Sequence, residues 1–100
     1  MQYLVRLTDR AARDLELLYE STGAGSSQTA LEWFNSLADA IYSLDRFPER
    51  GAITPESERY RHLLFGNKPN IYRIFYEFDK RKRVVTVLHI RHGARVLPPT

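Results

Sequence analysis

Tyr72-Arg73-Ile74-Phe75-Tyr76 and Val87-Leu88-His89-Ile90-Arg91-His92-Gly93-Ala94-Arg95 are two apolar runs of strand length, each with an arginine or histidine where a buried strand keeps valine or isoleucine. Ionised side chains are rarely held on a packed sheet without an anionic partner. The reading these runs suggest is an anion bound across the sheet. Asp79-Lys80-Arg81-Lys82-Arg83 is a short polar turn between them, so the strands expected over Ile71 to Phe78 and Val84 to Arg91 form an antiparallel pair.

In the first of these strands, alternation puts Tyr72, Ile74, Tyr76 and Phe78 on one face and Arg73, Phe75 and Glu77 on the other. The aromatic face is expected under helices and the Arg73 face towards solvent. The second strand is ambiguous: Val84, Thr86, Leu88 and Ile90 alternate with Val85, Val87, His89 and Arg91, and both sets are fairly apolar. Helices over one face and a partly shielded, concave opposite face would explain this, and would bring Arg73, His89 and Arg91 together.

Working outward, Arg61 to Phe65 reads as a further strand. Residues 48–60 hold two prolines and no hydrophobic period, the mark of a surface connection. Upstream, Ala30, Phe34, Leu37, Ile41 and Leu44 keep helical spacing after a start at Ser26 or Ser27, and Phe47-Pro48 ends that helix because proline restricts the residue before it to extended conformations. An earlier helix, capped by Thr8, carries Ala11, Leu15, Leu18 and Tyr19 on one stripe and stops at Gly23 and Gly25. Tyr3 to Leu7 alternates as a first strand. Trp33 and Phe34 are expected in the core, the alternative being that one of the pair reaches the outer edge of the second helix, where aromatics also serve interfaces.

The 100 residues make one domain, 1–100, with 43% hydrophobic and 27% charged residues, a composition that folds. The absence of cysteine excludes a disulfide framework and thiolate chemistry. Neither a signal-peptide core nor a run near the roughly 20 apolar residues of a membrane span is present, so a cytoplasmic location with no membrane partner is expected. The net charge of +3 hides an asymmetry. Residues 1–60 carry six arginines against ten acids, a net of −4, whereas residues 61–100 carry nine Lys and Arg against Glu77 and Asp79, a net of +7. Such a basic half points to nucleic acid or an acidic protein segment as partner.

The order of strand, helical hairpin and three antiparallel strands ending in a basic tail resembles the RelE/ParE superfamily of bacterial type II toxin–antitoxin toxins. The marks that carry the likeness are Leu7-Thr8 with Ala11 and Asp14-Leu15, Ala30 with Leu37, Ile41, Leu44 and Pro48, Tyr72-Arg73-Ile74 with Tyr76, and Val87-Leu88-His89-Ile90 leading to His92 and Arg95. The resemblance implies an α+β fold, β-α-α-β-β-β, with a helical hairpin on one face of a mainly antiparallel four-stranded sheet. It also implies a cognate antitoxin as partner and no cofactor.

Within the superfamily, RelE-like members cut mRNA on the ribosome and ParE-like members poison DNA gyrase. A nuclease needs a base for the 2′-hydroxyl, an acid for the leaving oxygen and cations for the phosphate. Arg73 and His92 match that pattern, with Arg91 and Arg95 as further phosphate cations. The arginine and tyrosine that usually follow are Gly93 and Leu97 here. That departure, with the long hairpin and the Pro48 to Gly51 connection, resembles the ParE branch and implies a gyrase-binding toxin. The alternative is a ribosome-dependent endoribonuclease in which Arg73, Arg91, His92 and Arg95 are catalytic. A third reading is a degenerate member that binds only antitoxin or nucleic acid.

The partner-binding set is Arg73, His89, Arg91, Arg95, Arg81 and Arg83. Each has a plainer role beside it: Arg73 pairing with Glu77 on the same strand face, His89 as a hydrogen-bonded core residue, Arg81 and Arg83 as solvated turn charges. His89-x-x-His92 is a poor metal motif, because an odd separation on a strand sends the two rings to opposite faces. No metal site is expected.

Overall fold

The computed structural model of the chain describes residues 2–67 and 70–93. Strand β1 (Leu4–Leu7) leads into helices α1 (Asp9–Ser21) and α2 (Gln28–Tyr42), followed by strands β2 (Ala52–Thr54), β3 (Ser57–Asn67), β4 (Asn70–Asp79) and β5 (Val84–His92). The sheet runs β1-β5-β4-β3-β2, with β1 parallel to β5 and the other neighbours antiparallel. One face is covered by the helices: Ala11, Leu37, Ile41 and Leu44 close over Ile74, Tyr76, Val85, Val87 and Ile90. The result is an α+β fold of two helices on a mixed sheet.

Local chemistry sets the helix starts where the sequence places them. The Thr8 hydroxyl accepts from Ala11 N at 3.1 Å and the Ser27 hydroxyl from Ala30 N at 3.2 Å, each satisfying an otherwise orphan amide. After α1 the chain turns at Gly23, whose φ of +78° suits a residue without Cβ. Trp33 meets Phe65 and Tyr72 on the sheet. Phe34 is the one of the pair that reaches the outer edge, packing edge-on against Tyr19 at the seam of the hairpin with ring centroids 5.3 Å apart.

Three expectations change between Tyr42 and Ser57. Helix α2 ends at Tyr42 and tightens into a 3₁₀ turn over Ser43–Asp45, so Leu44 reaches the core from that turn. Phe47 is not extended but left-handed, at φ +53° and ψ +59°, which lets the chain reverse into the 3₁₀ turn Pro48–Arg50. Residues 48–60 are then not a plain surface connection: Ala52–Thr54 adds a fifth strand on β3, which itself begins at Ser57. A tyrosine anchors this segment. The buried Tyr76 hydroxyl donates to Pro48 O at 2.5 Å and accepts from Gly51 N at 2.9 Å. Gly51 is required by proximity, since a Cβ there would stand 2.8 Å from His62 O and collide with the Tyr76 hydroxyl.

The ambiguity of the last strand resolves into a β-bulge. Phe75 pairs with His89 but Tyr76 with Val87, leaving Leu88 opposite no residue. Neither alternating set survives: Val85, Val87 and, past the bulge, Ile90 all face the helices. The bulge frees backbone groups that α1 then satisfies. Thr8 Oγ1 donates to Leu88 O at 2.7 Å, and Ile90 N donates to Asp14 Oδ2 at 2.9 Å. Thr8 and Asp14 thus lock the helix onto the bulged strand.

Candidate functional site

The face of the sheet turned away from the helices carries two cross-strand rows. In one, His62 on β3, Phe75 on β4 and His89 on β5 lie side by side; in the next, Leu64, Arg73 and Arg91 do. The expected grouping of Arg73, His89 and Arg91 is therefore present. His89 stacks on Phe75, with ring centroids 4.3 Å apart and planes 12° apart, and His62 meets the same ring edge-on at 6.0 Å. The Arg73 guanidinium lies 4.4 Å from the Phe75 ring centre.

Arg73 does not face solvent: only 2% of it is exposed. Nor does it pair with Glu77. Its Nη1 and Nη2 donate to the two carboxylate oxygens of Glu56 at 2.7 Å each, and its Nε donates to His62 Nδ1 at 2.9 Å. Two adjacent planar groups matched in this way form the strongest geometry open to an arginine. The sequence conceals it because Glu56 comes from the turn between β2 and β3, 17 positions away, and residues 48–60 show no period that would place it. The pair also explains how Arg91 can stand opposite Arg73, since like charges directly across a ladder repel unless one is neutralised.

The two histidines of this face favour their neutral forms. Burial first, and then the Arg73 charge, hold His62 below its ordinary value, with the Glu56 carboxylate opposing. Burial likewise depresses His89, followed by the charges of Arg10 and Arg91, while Asp14 opposes. Among the described residues the buried His89 Nδ1 has no hydrogen-bond partner. His62, which the sequence reading did not select, thus belongs to the site, and its place on Arg73's face follows only from the β3–β4 register.

The remaining candidates divide. His92 pairs with Tyr72, its ring 4.8 Å from the tyrosine's, and so lies on the helix-covered face, across the sheet from Arg73 and Arg91. There it lines a cleft of about 400 Å³ between α1 and the sheet with Asp14, Leu17, Leu18, Tyr72 and Ile90. Leu17 at this cleft is 56% exposed. Arg81 and Arg83 sit in the β4–β5 turn, where the Asp79 carboxylate accepts from Arg81 N and Lys82 N. That turn lies six ladder positions from the Arg73–Arg91 pair, or roughly 20 Å. Arg95 lies outside the described residues. Among the described residues, no group of three or more His, Asp and Glu is placed to hold a metal ion, and no helix is long and apolar enough to cross a membrane.

Comparison with known proteins bears on the fold and the family. A family model described as the ParE toxin of the type II toxin–antitoxin system parDE matches residues 5–97. No curated protein matches. Among solved structures, the chromosomal ParDE toxin–antitoxin system from P. aeruginosa superposes with a TM-score of 0.72 at 19% identity, over 93% of this chain and 98% of that one. The RelBE2 complex from Mycobacterium tuberculosis gives 0.68 at 23%, over 92% and 99%. A mutant of E. coli RelE in the free state gives 0.63 at 16%, over 91% and 83%. At these identities the structures speak for a shared fold; the family rests on the model match, and by it the chain belongs to the ParE toxins of type II toxin–antitoxin systems.

Proposed function

We propose that this toxin works in the cytoplasm by binding DNA gyrase rather than by cutting RNA, and that a cognate antitoxin neutralises it. The observation that carries the reading is the state of Arg73. An arginine awaiting a phosphate keeps its donors available, whereas here they are engaged by Glu56 and His62 at the buried centre of the sheet face. The match to the ParE model supports the same reading. So does His92, whose ring is separated by the sheet from the cations it would need as a nuclease acid or base.

Ribosome-dependent RNA cleavage is the second reading, and one observation favours it. His89, with a depressed proton affinity and an unpartnered Nδ1, shares the Arg73 and Arg91 face. In that reading His89, not His92, is the proton-transfer residue. Induced expression followed by separate assays of plasmid supercoiling and mRNA cleavage decides between them. Gyrase inhibition by the wild type that persists in His92→Ala and His89→Ala, with no cleavage in any of the three, is the expected result. Ribosome-dependent cutting that falls about 10²- to 10⁴-fold in His89→Ala is the outcome that sinks the gyrase reading.

The antitoxin is assigned to the cleft between α1 and the sheet, running towards the basic end of β5. Leu17, Leu18, Tyr72 and Ile90 offer apolar anchorage with the His92 ring beside them, and Arg91, on the other face of β5, offers charge where the segment runs past the strand. Because both contribute, affinity should fall only partly between low and physiological salt. Binding abolished by moderate salt would count against the cleft.

A further inference from the structure

The opposite end of the sheet, where β5 begins, carries an aromatic side chain that the fold presents rather than packs. Tyr3 N donates to Asp45 O and Leu4 N to Arg83 O, so the start of β1 joins the segment after α2 to the β4–β5 turn. Between them opens a cleft of about 570 Å³ lined by Tyr3, Arg46, Phe47, Glu49 and Arg83. Phe47 stands on its rim, 76% exposed.

Its backbone makes this unusual. Phe47 at φ +53° and Arg83 at φ +55° are the two non-glycine residues with positive φ among those described, and both border this one cleft. Side chains with a Cβ seldom occupy that region, and strain of this kind persists where the surrounding structure over-determines it. Here the next residue, Pro48, is buried and its carbonyl is held by the Tyr76 hydroxyl. Glycine or asparagine would relieve the strain at Phe47. A phenylalanine left 76% exposed gains little burial within its own chain.

The surroundings define what it meets. Arg46 and Arg83 line the same cleft, and Lys80, Arg81 and Lys82 continue the cationic turn, whose Asp79 carboxylate is engaged by the turn's own amides. We propose that Phe47 is the apolar anchor by which this end of the molecule docks on its protein target, entering a pocket rimmed by carboxylates. Aromatic and arginine side chains clustered in this way are the usual composition of an interface centre. A nucleic acid fits less well. Single-strand sites stack successive bases on several rings, whereas Tyr3 is edge-on to Phe78, and Glu49 places a carboxylate in the cleft where a phosphate would pass.

The inference rests on the reading that the toxin acts by binding a protein, and the experiment keeps the two apart. The full chain, Phe47→Ala and Phe47→Gly are compared for growth arrest on induction, inhibition of supercoiling by the gyrase holoenzyme, thermal melting, and binding of a single-stranded oligothymidylate. Phe47→Gly should melt at or above the wild-type temperature, because it relieves the strain, yet inhibit gyrase about 10- to 100-fold less and fail to arrest growth. A stabilised variant that loses activity is not what a merely structural residue produces. Full arrest and inhibition by both variants overturns the inference. Oligothymidylate binding that vanishes in Phe47→Ala overturns it in favour of nucleic acid. Arrest by the wild type without gyrase inhibition refutes the gyrase reading alone, and Phe47 is then judged on arrest. A wild type that arrests nothing and leaves gyrase untouched overturns both.

Discussion

Removing the Glu56 carboxylate should strand the Arg73 charge inside the sheet. In Glu56→Ala, Arg73 keeps the acceptor at His62 Nδ1 but loses both carboxylate oxygens at 2.7 Å, while its own exposure is 2%. Breaking a fully buried ion pair from one side costs roughly 3 to 5 kcal/mol. Glu56 is 29% exposed, so water can partly replace it, and a loss of about 2 to 3 kcal/mol is the better figure. For a domain of this size that lowers Tm by roughly 10 to 20 °C. Arg73→Met, which removes the charge and leaves a carboxylate that can hydrate, should cost less. The double variant should resemble Arg73→Met alone, giving a coupling of at least about 1 kcal/mol in a cycle measured by urea unfolding. Additive losses, or an unchanged Tm in Glu56→Ala, would refute the argument. So would a gain in RNA affinity in Glu56→Gln, which would show that Glu56 merely occupies a phosphate site.

Ile74 is fully buried between the helices and the sheet, so Ile74→Ala should cost about 2 to 5 kcal/mol in urea unfolding, and an unchanged midpoint would mean that it does not bear on the core. Gly51→Ala should displace the Tyr76 hydroxyl from Pro48 O and Gly51 N and cost more than the roughly 1 to 2 kcal/mol of Tyr76→Phe, because its Cβ also crowds His62 O; equal losses would discount that crowding. Acidification should destabilise the protein through His62 and His89. Both have folded values below 6.5, so the unfolded chain binds more protons, and stability that is complete above about pH 6.5 declines as pH falls through the folded values. Thermal melts between pH 8 and 5 should show this decline, reduced in His89→Phe, and a rise in Tm on acidification would contradict it.

Periodicity carried most of the architecture. The spacings of Ala11, Leu15 and Leu18 and of Leu37 and Ile41, the caps at Thr8 and Ser27, and the alternation of Ile74 and Tyr76 each express a local rule, and each is met in the structure. Where the reading failed, the deciding interaction was not local. Phe47 is left-handed because Tyr76 and the burial of Pro48 hold the following turn in place, overriding the preference of a residue before proline.

For the site, the sequence by itself determined that two strands carry buried-position cations and histidines on one basic half of the chain. Only the tertiary structure decided their partners. The bulge at Leu88 shifts β5 by one residue, which moves His89 and Arg91 off the helix-covered face of Val85 and Val87 to the face of Arg73 and puts His92 on the helix side; a single unpaired residue changes the face of everything beyond it, and no periodic pattern announces where it falls. Glu56 reaches Arg73 because the β2–β3 turn brings it there, and a carboxylate in an aperiodic turn is indistinguishable in sequence from one in solvent. Alternation and helical period are properties of neighbouring residues and can be read along the chain, whereas the neutralisation of a buried charge depends on which distant segment the fold sets beside it.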